Sequence, residues 1–258
     1  MKKILLTFLL INTFLYSENI YKEAFTKKNG IYFKSGTNIP VNGIWIKRNK
    51  SGVLKAKIPF IDGKLEGNEK SYYKSGKLKR VIPYKNGQVD GILKEYDFEG
   101  KLTDETPFKQ GKKDGIEIFY YHSGNIKEER YYKNSNLPDT IKEYFDSGNL
   151  KYESFCTQGV KNFYFKSGKL KSQNTDYMNK EYYKNGNLRW ESPLKNGKKD
   201  GVFKRYYESG QLKEVAPYRM GELDGTHNYF CKSGILEYEQ VHKDGKPYGK
   251  GFLKPCKK

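Results

Sequence analysis

A turn that contains glycine recurs along almost the whole chain at a regular spacing. Four successive intervals between the turn glycines measure 24 residues, the next two measure 20 and 18, and the last two return to 24. A fixed period of this size is typical of a repeat array, in which one unit cannot bury its apolar face without its neighbours. The turn glycines are Gly52, Gly76, Gly100, Gly124, Gly148, Gly168, Gly186, Gly210 and Gly234.

Aromatic and aliphatic residues keep phase with these glycines. An aromatic residue stands four positions before almost every turn glycine, and a Leu or Ile stands two positions after it. A second turn follows each Leu-containing segment, as in "NGQVDG" at 86–91 and "NGKKDG" at 196–201. The positions that we predict to define the structural repeat are Tyr72, Gly76, Leu78, Tyr96, Gly100, Leu102, Tyr120, Gly124, Ile126, Tyr144, Gly148, Leu150, Tyr206, Gly210 and Leu212.

The alternation of aromatic segment and turn predicts an all-β fold, an elongated single-layer array of antiparallel β-hairpins that forms a twisted ribbon. Tyr, Phe, Ile and Val favour strands, and two glycine turns in each 24-residue unit leave no room for a helix. Ser-Gly and Asn-Gly pairs suit two-residue hairpin turns, because glycine accepts a positive φ. A recurrent proline, as at Pro83 and Pro107, is expected at a strand end or edge, because it cannot donate a ladder hydrogen bond.

The repeat pattern divides the chain into four segments. Residues 1–17 are predicted as a signal peptide, 18–50 as a degenerate N-terminal repeat or cap, 51–249 as the repeat array and 250–258 as a basic C-terminal tail. The two short intervals between Gly148 and Gly186 predict a kink or a tightened turn. The segment "NSNLPD", 134–139, replaces a glycine turn and is expected to be irregular.

The N-terminus has the layout of a secretory signal. Lys2 and Lys3 precede an apolar stretch that runs from Ile4 to Tyr16, which is shorter than the roughly 20 residues of a membrane-spanning helix. We therefore predict export, with cleavage near Ser17, to the periplasm, the outer envelope or the extracellular space. The alternative is a retained N-terminal anchor.

The chain is strongly basic. Its formal charge is +19, and +17 once Lys2 and Lys3 are removed. Such a charge is compatible with acidic partners, including anionic lipid, polysaccharide and nucleic acid. The lysines are spread evenly along the chain, however, and this favours a role in solubility over a specific nucleic-acid site. We expect a protein partner and at most a weak contact with anionic lipid or polysaccharide.

No residue pattern indicates catalysis, a cofactor or a metal. The histidines at 122, 227 and 242 are isolated in the sequence, and no Cys/His spacing suggests zinc. The acidic residues of the second turns, such as Asp90 and Asp114, supply one carboxylate each, which is too few for calcium. Of the three cysteines, Cys231 and Cys256 are able to meet on neighbouring strands, whereas Cys156 is expected in the core. Stapling by disulfides is not expected to be the basis of the fold.

Three stretches carry a resemblance to a known family: "YYKSGKLKRVIPYKNGQVDG" (72–91), "YYKNGNLRWESPLKNGKKDG" (182–201) and "YYESGQLKEVAPYRMGELDG" (206–225). They resemble the membrane occupation and recognition nexus (MORN) repeat, in the variant type found in exported bacterial proteins, over roughly residues 29–249. The resemblance implies an antiparallel hairpin array that mediates contacts with proteins and phospholipids. Variant members are often labelled antitoxins, and others carry lipid-kinase labels, for which this chain shows no catalytic motif.

These observations favour a non-enzymatic, exported protein-interaction module at the bacterial envelope or surface. One alternative is an antitoxin or immunity protein of a toxin–antitoxin system. Another is a protein that binds anionic lipid or polysaccharide. Carbohydrate binding through the aromatic ladder is a lesser alternative, because cell-wall-binding modules are rich in tryptophan and this chain has only Trp45 and Trp190.

Overall fold

The computed structural model describes residues 19–20, 25–134 and 137–256, and each regular element in these ranges is a β-strand. The predicted signal peptide lies outside the described residues. Within the described part of the chain, no helix is long and apolar enough to cross a membrane. The prediction of an all-β fold of antiparallel hairpins is confirmed. The chain divides into two compact units: unit 1 comprises Met1–Leu102 and Phe108–Gly111, and unit 2 comprises Thr103–Pro107 and Lys112–Lys258.

Ten strands belong to unit 1, and β11 contributes residues to both units. The strands up to this point are β1 (Asn19–Ile20), β2 (Phe25–Lys28), β3 (Ile31–Lys34), β4 (Gly43–Arg48), β5 (Leu54–Ile61), β6 (Lys64–Leu65), β7 (Gly67–Tyr72), β8 (Leu78–Lys85), β9 (Gln88–Val89), β10 (Gly91–Tyr96) and β11 (Leu102–Lys109).

The remaining strands belong to unit 2. They are β12 (Lys112–Lys113), β13 (Gly115–Tyr120), β14 (Ile126–Tyr132), β15 (Thr140–Tyr144), β16 (Leu150–Phe155), β17 (Val160–Tyr164), β18 (Leu170–Asn174), β19 (Met178–Tyr182), β20 (Leu188–Lys195), β21 (Lys198–Lys199), β22 (Gly201–Tyr206), β23 (Leu212–Arg219), β24 (Glu222–Leu223), β25 (Gly225–Phe230), β26 (Leu236–Lys243) and β27 (Lys246–Leu253).

Unit 1 contains an apolar cluster at its N-terminal end. The order of antiparallel pairing is β4–β5–β7–β8–β10, with β1 parallel to β4. Strands β2 and β3 form a separate hairpin. This hairpin is held by hydrogen bonds from Tyr32 N to Gly63 O (2.8 Å) and from Val41 N to Tyr32 O (2.9 Å). Val41 and Phe60 are the buried centre of the cluster, and the residues packed on them are Phe25, Tyr32, Trp45, Ile58 and Leu65.

Unit 2 is an antiparallel sheet in which neighbouring strands are also neighbours in the sequence. The pairing runs β11–β13–β14–β15–β16–β17–β18–β19–β20, and then β20–β22–β23–β25–β26–β27. The short strands β21 and β24 pair with β20 and β23. Each strand therefore lies beside the segment that precedes it, as expected for hairpins joined in series.

The two turns of each repeat differ in length. Asn86 and Gly87, at φ 51° and 80°, form the two-residue turn between β8 and β9, as predicted. The Ser75–Gly76 turn, in contrast, lies in the longer connection 73–77, in which Gly76 N donates to Tyr73 O at 3.0 Å. The prediction of a two-residue turn at this Ser-Gly position is wrong. The adjacent register shift between Ser71 and Tyr72 is a bulge, and a bulge makes the connection longer than a tight hairpin.

The recurrent proline lies inside a strand, so the prediction of a strand end or edge is wrong. Pro83 is in β8 opposite Asn68 of β7, and its carbonyl accepts a hydrogen bond from Asp90 N at 3.0 Å. Proline has no backbone N–H to donate, and at Pro83 this absence coincides with the interruption between β9 and β10 in the neighbouring segment. A Cβ atom on Gly91, whose φ is 119°, would lie 3.0 Å from Pro83 Cγ. The second glycine of the "DG" turns is therefore required by both its backbone conformation and the proline ring.

The two short repeats lack the interrupted pair of strands, such as β9 and β10, that the longer repeats contain. Strands β16 and β17 are joined by residues 156–159, and β18 and β19 by residues 175–177. In the second connection, Thr175 N donates to Met178 O at 2.9 Å. The shortened intervals between Gly148 and Gly186 therefore produce shorter turns on the side of the second glycine turn. In the "NSNLPD" segment, residues 135 and 136 lie outside the described residues.

One of the three cysteines does not follow the sequence-based prediction. Cys156, predicted in the core, is an exposed free cysteine, because it lies in the turn that follows β16 and not on a strand. Cys231 and Cys256 form a disulfide with their Cα atoms 5.7 Å apart. One staple is therefore present, and it joins the connection after β25 to the residues that follow β27.

Candidate functional site

A row of mostly apolar side chains crosses five strands of unit 2. Ile116 is paired with Tyr131, Tyr131 with Thr140, Thr140 with Phe155, and Phe155 with Val160. Directly opposed residues of antiparallel strands share one face of the sheet. We call Ile116, Tyr131, Thr140, Phe155 and Val160 the apolar row. Ile116 is 43% exposed and Tyr131 49% exposed, so the apolar row offers hydrophobic surface to solvent.

A charged row lies beside the apolar row on the same face, two residues away on strands β14, β15 and β16. In this row Glu129 is paired with Lys142, and Lys142 with Glu153. Glu129 and Lys142, together with four members of the apolar row, line a groove with a volume of about 350 Å³. The groove therefore combines an apolar side with one acidic and one basic group.

Tyrosine hydroxyls hold the carboxylates of this face. Tyr120 donates to Glu105 at 2.8 Å, and Tyr144 donates to Glu129 at 2.7 Å. Tyr164 donates in the same way to Glu153. The tyrosines four residues before the turn glycines thus position the acidic groups of the face. Partial burial, followed by the hydrogen bond to the carboxylate, raises the pKa of Tyr120 to about 12, and the pKa of Tyr164 is also raised to about 12.

These tyrosine–glutamate contacts predict a loss of stability at alkaline pH. The phenol is favoured in its protonated form in the folded state, so its contribution is fully present below the ordinary pKa of about 10. This contribution is lost as pH rises from about 10 towards 12. We expect the free energy of unfolding, measured in urea at a series of pH values, to fall over this interval.

A double replacement, Tyr120→Phe with Tyr164→Phe, should make that alkaline loss smaller. Tyr177→Phe is the matched control, because the Tyr177 side chain is 70% exposed. An alkaline loss of the same size in the double variant and in the unmodified chain would contradict the assignment.

A second set of tyrosines, three residues before the turn glycines, was not recognised in the sequence. Tyr73 OH donates to the backbone carbonyl of Tyr96 at 2.6 Å, and Tyr121 OH donates to that of Tyr144 at 2.8 Å. The hydroxyls of Tyr183 and Tyr207 likewise donate to the backbone carbonyl of the residue 23 positions further along the chain. The doubled "YY" of the repeat was the available signal. These tyrosines join successive repeats and have a structural role.

The acidic residues of the second turns bind backbone N–H groups. Asp90 Oδ2 accepts from Gln110 N at 3.1 Å, and Asp200 Oδ2 accepts from Met220 N at 3.2 Å. Glu66 and Asp114 make the same contact with the turn 20 residues ahead. This role accounts for the recurrence of the acidic residue without calcium.

Only one group of possible metal ligands occurs among the described residues, and it consists of Cys231, Glu237 and Cys256. The two sulfur atoms are joined in the disulfide. Two of the histidines that are isolated in the sequence lie close together in the structure, where the rings of His227 and His242 are 5.7 Å apart on adjacent strands. His227 Nε2 lies 3.0 Å from the buried Glu214 carboxylate.

The residues predicted to define the repeat lie at the turns and bulges, outside the groove. Four aromatic–aliphatic pairs oppose each other across the bulges: Tyr72 with Leu78, Tyr120 with Ile126, Tyr144 with Leu150, and Tyr206 with Leu212. The five turn glycines of the set, Gly76, Gly100, Gly124, Gly148 and Gly210, all have φ between 84° and 93°. The groove residues escaped prediction because they occupy positions that vary from one repeat to the next.

The repeats and their hairpin geometry define a class of β-repeat protein that presents an open sheet face. A family model described as "MORN repeat variant" matches residues 65–86, 89–110, 113–134 and 199–220. The chain is a MORN-repeat protein. MORN repeats are in general modules that bind proteins or membrane lipids.

Solved structures show only weak similarity. A structure of the Photorhabdus luminescens Tc holotoxin pore, with the mutation TccC3-D651A, is 12% identical, has a TM-score of 0.19, and is matched over 78% of this chain and 13% of that chain. A crystal structure of TcdB2-TccC3-Cdc42 is 13% identical, with a TM-score of 0.17 and coverage of 86% and 15%. This chain thus spans a small part of those chains, and such scores support no conclusion about it. No curated protein matches the chain.

Proposed function

We propose that the chain is an exported, non-enzymatic interaction protein that binds a protein partner through the apolar row of unit 2. The observation that carries this proposal is the exposure of Ile116 and Tyr131 in direct register on an open sheet face. Large exposed apolar side chains in a contiguous patch are typical of interaction surfaces. The general role of MORN repeats as binding modules supports the same function.

The dimensions of the apolar row suit an extended polypeptide segment. Five strands at about 4.8 Å spacing give a length of roughly 19 Å, which corresponds to about six extended residues. Side chains on one face of such a segment would contact the apolar row, and its polar groups would meet Glu129 and Lys142 at the groove.

A protein partner is favoured over an anionic lipid because this face has mixed charge. Glu129 and Glu153 lie on either side of Lys142, and Tyr144 and Tyr164 hold the two carboxylates in place. A surface for anionic headgroups would need a continuous set of cations. The lysines elsewhere on the chain are expected to add only a salt-sensitive attraction.

Two features support export. The N-terminal sequence has the layout of a signal peptide, and the Cys231–Cys256 disulfide is the kind of bond that persists in oxidising compartments. Intact mass of the protein purified from the envelope or the medium of its native host should correspond to a chain that starts near residue 18. A full-length product in the cytoplasm would contradict export.

The interaction surface is tested by Ile116→Asp with Val202→Asp as the matched control. Val202 occupies the same repeat position, 16 residues after a turn glycine, and is 42% exposed, but it lies opposite Pro217. A partner captured at about 0.15 M salt and then purified should bind Ile116→Asp at least about tenfold more weakly than the unmodified chain. Binding by Val202→Asp should be unchanged.

Two outcomes would overturn the proposed surface. One is an equal loss of binding in both variants. The other is tight, headgroup-selective binding to phosphatidylglycerol vesicles at the same salt concentration, with no dependence on Ile116; this result would favour a lipid function.

A further inference from the structure

One repeat of unit 2 holds an internal carboxylate in a complete set of donors. The Glu117 carboxylate accepts hydrogen bonds from Lys113 Nζ (2.6 Å), Tyr132 OH (3.0 Å) and Thr106 Oγ1 (3.1 Å). Glu117 is only 5% exposed. Although burial by itself raises the pKa of this carboxyl, the lysine and the two hydroxyls bring it below its ordinary value. Three hydrogen-bond donors converge on this one carboxylate, and their hydrogen bonds offset the cost of burying its charge.

A later repeat keeps the three donors and lacks the acid. Ser192, Lys199 and Tyr218 lie 86 residues after Thr106, Lys113 and Tyr132 (192−106, 199−113 and 218−132). The position equivalent to Glu117 (203−117 is also 86) holds phenylalanine. The strands are equivalent as well, since β20, β21, β22 and β23 replace β11, β12, β13 and β14.

Two polar groups are left without their usual partner as a result. Ser192 is 3% exposed, and its hydroxyl has no hydrogen-bond partner. Lys199 Nζ lies 4.7 Å from the centre of the Phe203 ring and 4.6 Å from that of Tyr218, and no described carboxylate forms an ion pair with it. A buried hydroxyl without a hydrogen-bond partner is unusual in a folded protein. Lys199 is exposed, so its ammonium is accessible to a ligand.

Ser192, Lys199 and Phe203 line a groove on the sheet with a volume of about 330 Å³, which we call the Lys199 groove. Trp190 and Phe203 supply aromatic surface, with ring centres 6.2 Å apart. Arg205 also lines the groove, but its Nε lies 3.3 Å from Glu214, so its charge has a partner. Lys199 is therefore the uncompensated cation of the groove.

We propose that the Lys199 groove binds an Asp or Glu side chain of the partner protein, whose carboxylate pairs with the Lys199 ammonium beside the buried Phe203 ring. This inference rests on the proposed protein-binding function and names one chemical feature of the partner. A carboxylate is favoured over a phosphate because Lys199 is the single available cation of the groove, since Arg205 is paired with Glu214. The aromatic surface then contacts the methylene groups of the acidic side chain.

The direct test uses a blocked tripeptide, acetyl-Ala-Glu-Ala-amide, beside its Gln counterpart. The chain has two tryptophans, and the indole Nε1–H of Trp190, which donates to Glu181 at 2.8 Å, is close to the groove. Its NMR signal should shift with the Glu peptide, whereas the signal of Trp45, in unit 1, should stay in place. The Gln peptide should bind at least about tenfold more weakly, because it lacks the charge.

Three variants separate the groove from general electrostatics. Lys199→Gln should weaken binding of the Glu peptide at least about tenfold. Phe203→Glu should also abolish it, because the restored internal carboxylate would take the three donors. Lys113→Gln is the matched control and should bind normally, because the Lys113 ammonium is already occupied by Glu117. Circular dichroism and melting curves confirm that each variant is folded.

Several outcomes would overturn the inference: equal binding of the Glu and Gln peptides, normal binding by Phe203→Glu, or an equal loss in Lys113→Gln and Lys199→Gln. Stronger binding of sodium glucuronate than of the peptide would also overturn it and would indicate an acidic sugar. The Ile116→Asp variant should bind the peptide normally. Failure at the groove is therefore distinguishable from failure of the apolar row as the partner-binding surface.

Discussion

Replacing Phe60 by alanine is expected to lower the free energy of unfolding of unit 1 by about 3–5 kcal/mol. Phe60 is 3% exposed and lies at the centre of the apolar cluster of this unit. Its ring centre lies 5.2 Å from that of Tyr32 and 5.8 Å from that of Phe25. The substitution removes these contacts and leaves a cavity that the flanking strands cannot close.

Tryptophan fluorescence makes this effect measurable within unit 1. Trp45 packs against Phe25 at 5.1 Å, and the other tryptophan, Trp190, belongs to unit 2. In a Trp190→Phe background, urea unfolding followed by fluorescence reports on the apolar cluster. Phe98→Ala is the matched control, because Phe98 is 71% exposed and its removal should change stability by less than about 0.5 kcal/mol. Similar losses in both variants would show that Phe60 is not a core residue.

Removing the disulfide by Cys231→Ala with Cys256→Ala is expected to destabilise the C-terminal hairpin by about 3.5 kcal/mol. The bond closes a loop of 25 residues that contains β26 and β27. Strand β27 is exposed along its whole length and pairs with β26. Without the bond, the unfolded state of this segment gains conformational freedom, and β27 separates from β26 more readily.

Hydrogen exchange of the β26 and β27 amides measures this local opening. Protection should fall in the double variant, whereas the amides of β13 and β14, distant in the sequence, should keep their exchange rates. Cys156→Ala is the matched control, since Cys156 is exposed and unpaired. Unchanged protection in the double variant, or an equal loss in Cys156→Ala, would contradict the stabilising role of the disulfide.

The consequence for function is that the two proposed binding features depend on different parts of the repeat. The apolar row uses positions on β13 to β17 that vary from one repeat to the next. The Lys199 groove lies in a repeat that has Phe203 at the position of Glu117. The regular positions hold the strands together, and the departures from regularity create distinct surfaces. A repeat protein acquires specificity in this way without a separate binding domain.

Much of the local structure could be predicted from the sequence because it depends on neighbouring residues. The 24-residue period, the strand-forming aromatics and the Asn86–Gly87 pair predicted hairpins in series, and the structure confirms them. Turn glycines such as Gly76 adopt positive φ because glycine accepts this conformation at little cost. These features need no knowledge of distant contacts.

Only the tertiary structure decided which side chains meet across the repeats. Cross-strand register, which the bulges shift by one residue, decides these contacts. Examples are the contact of Tyr73 with Tyr96, that of Asp90 with Gln110 and the position of Ser192 in the Lys199 groove. The exposure of Ile116 likewise depends on the strand register, because the register decides which face of the sheet its side chain occupies. A shift of one residue in register reverses the face of every side chain on a strand, so a repeat in the sequence predicts the strands but not the surface that they present.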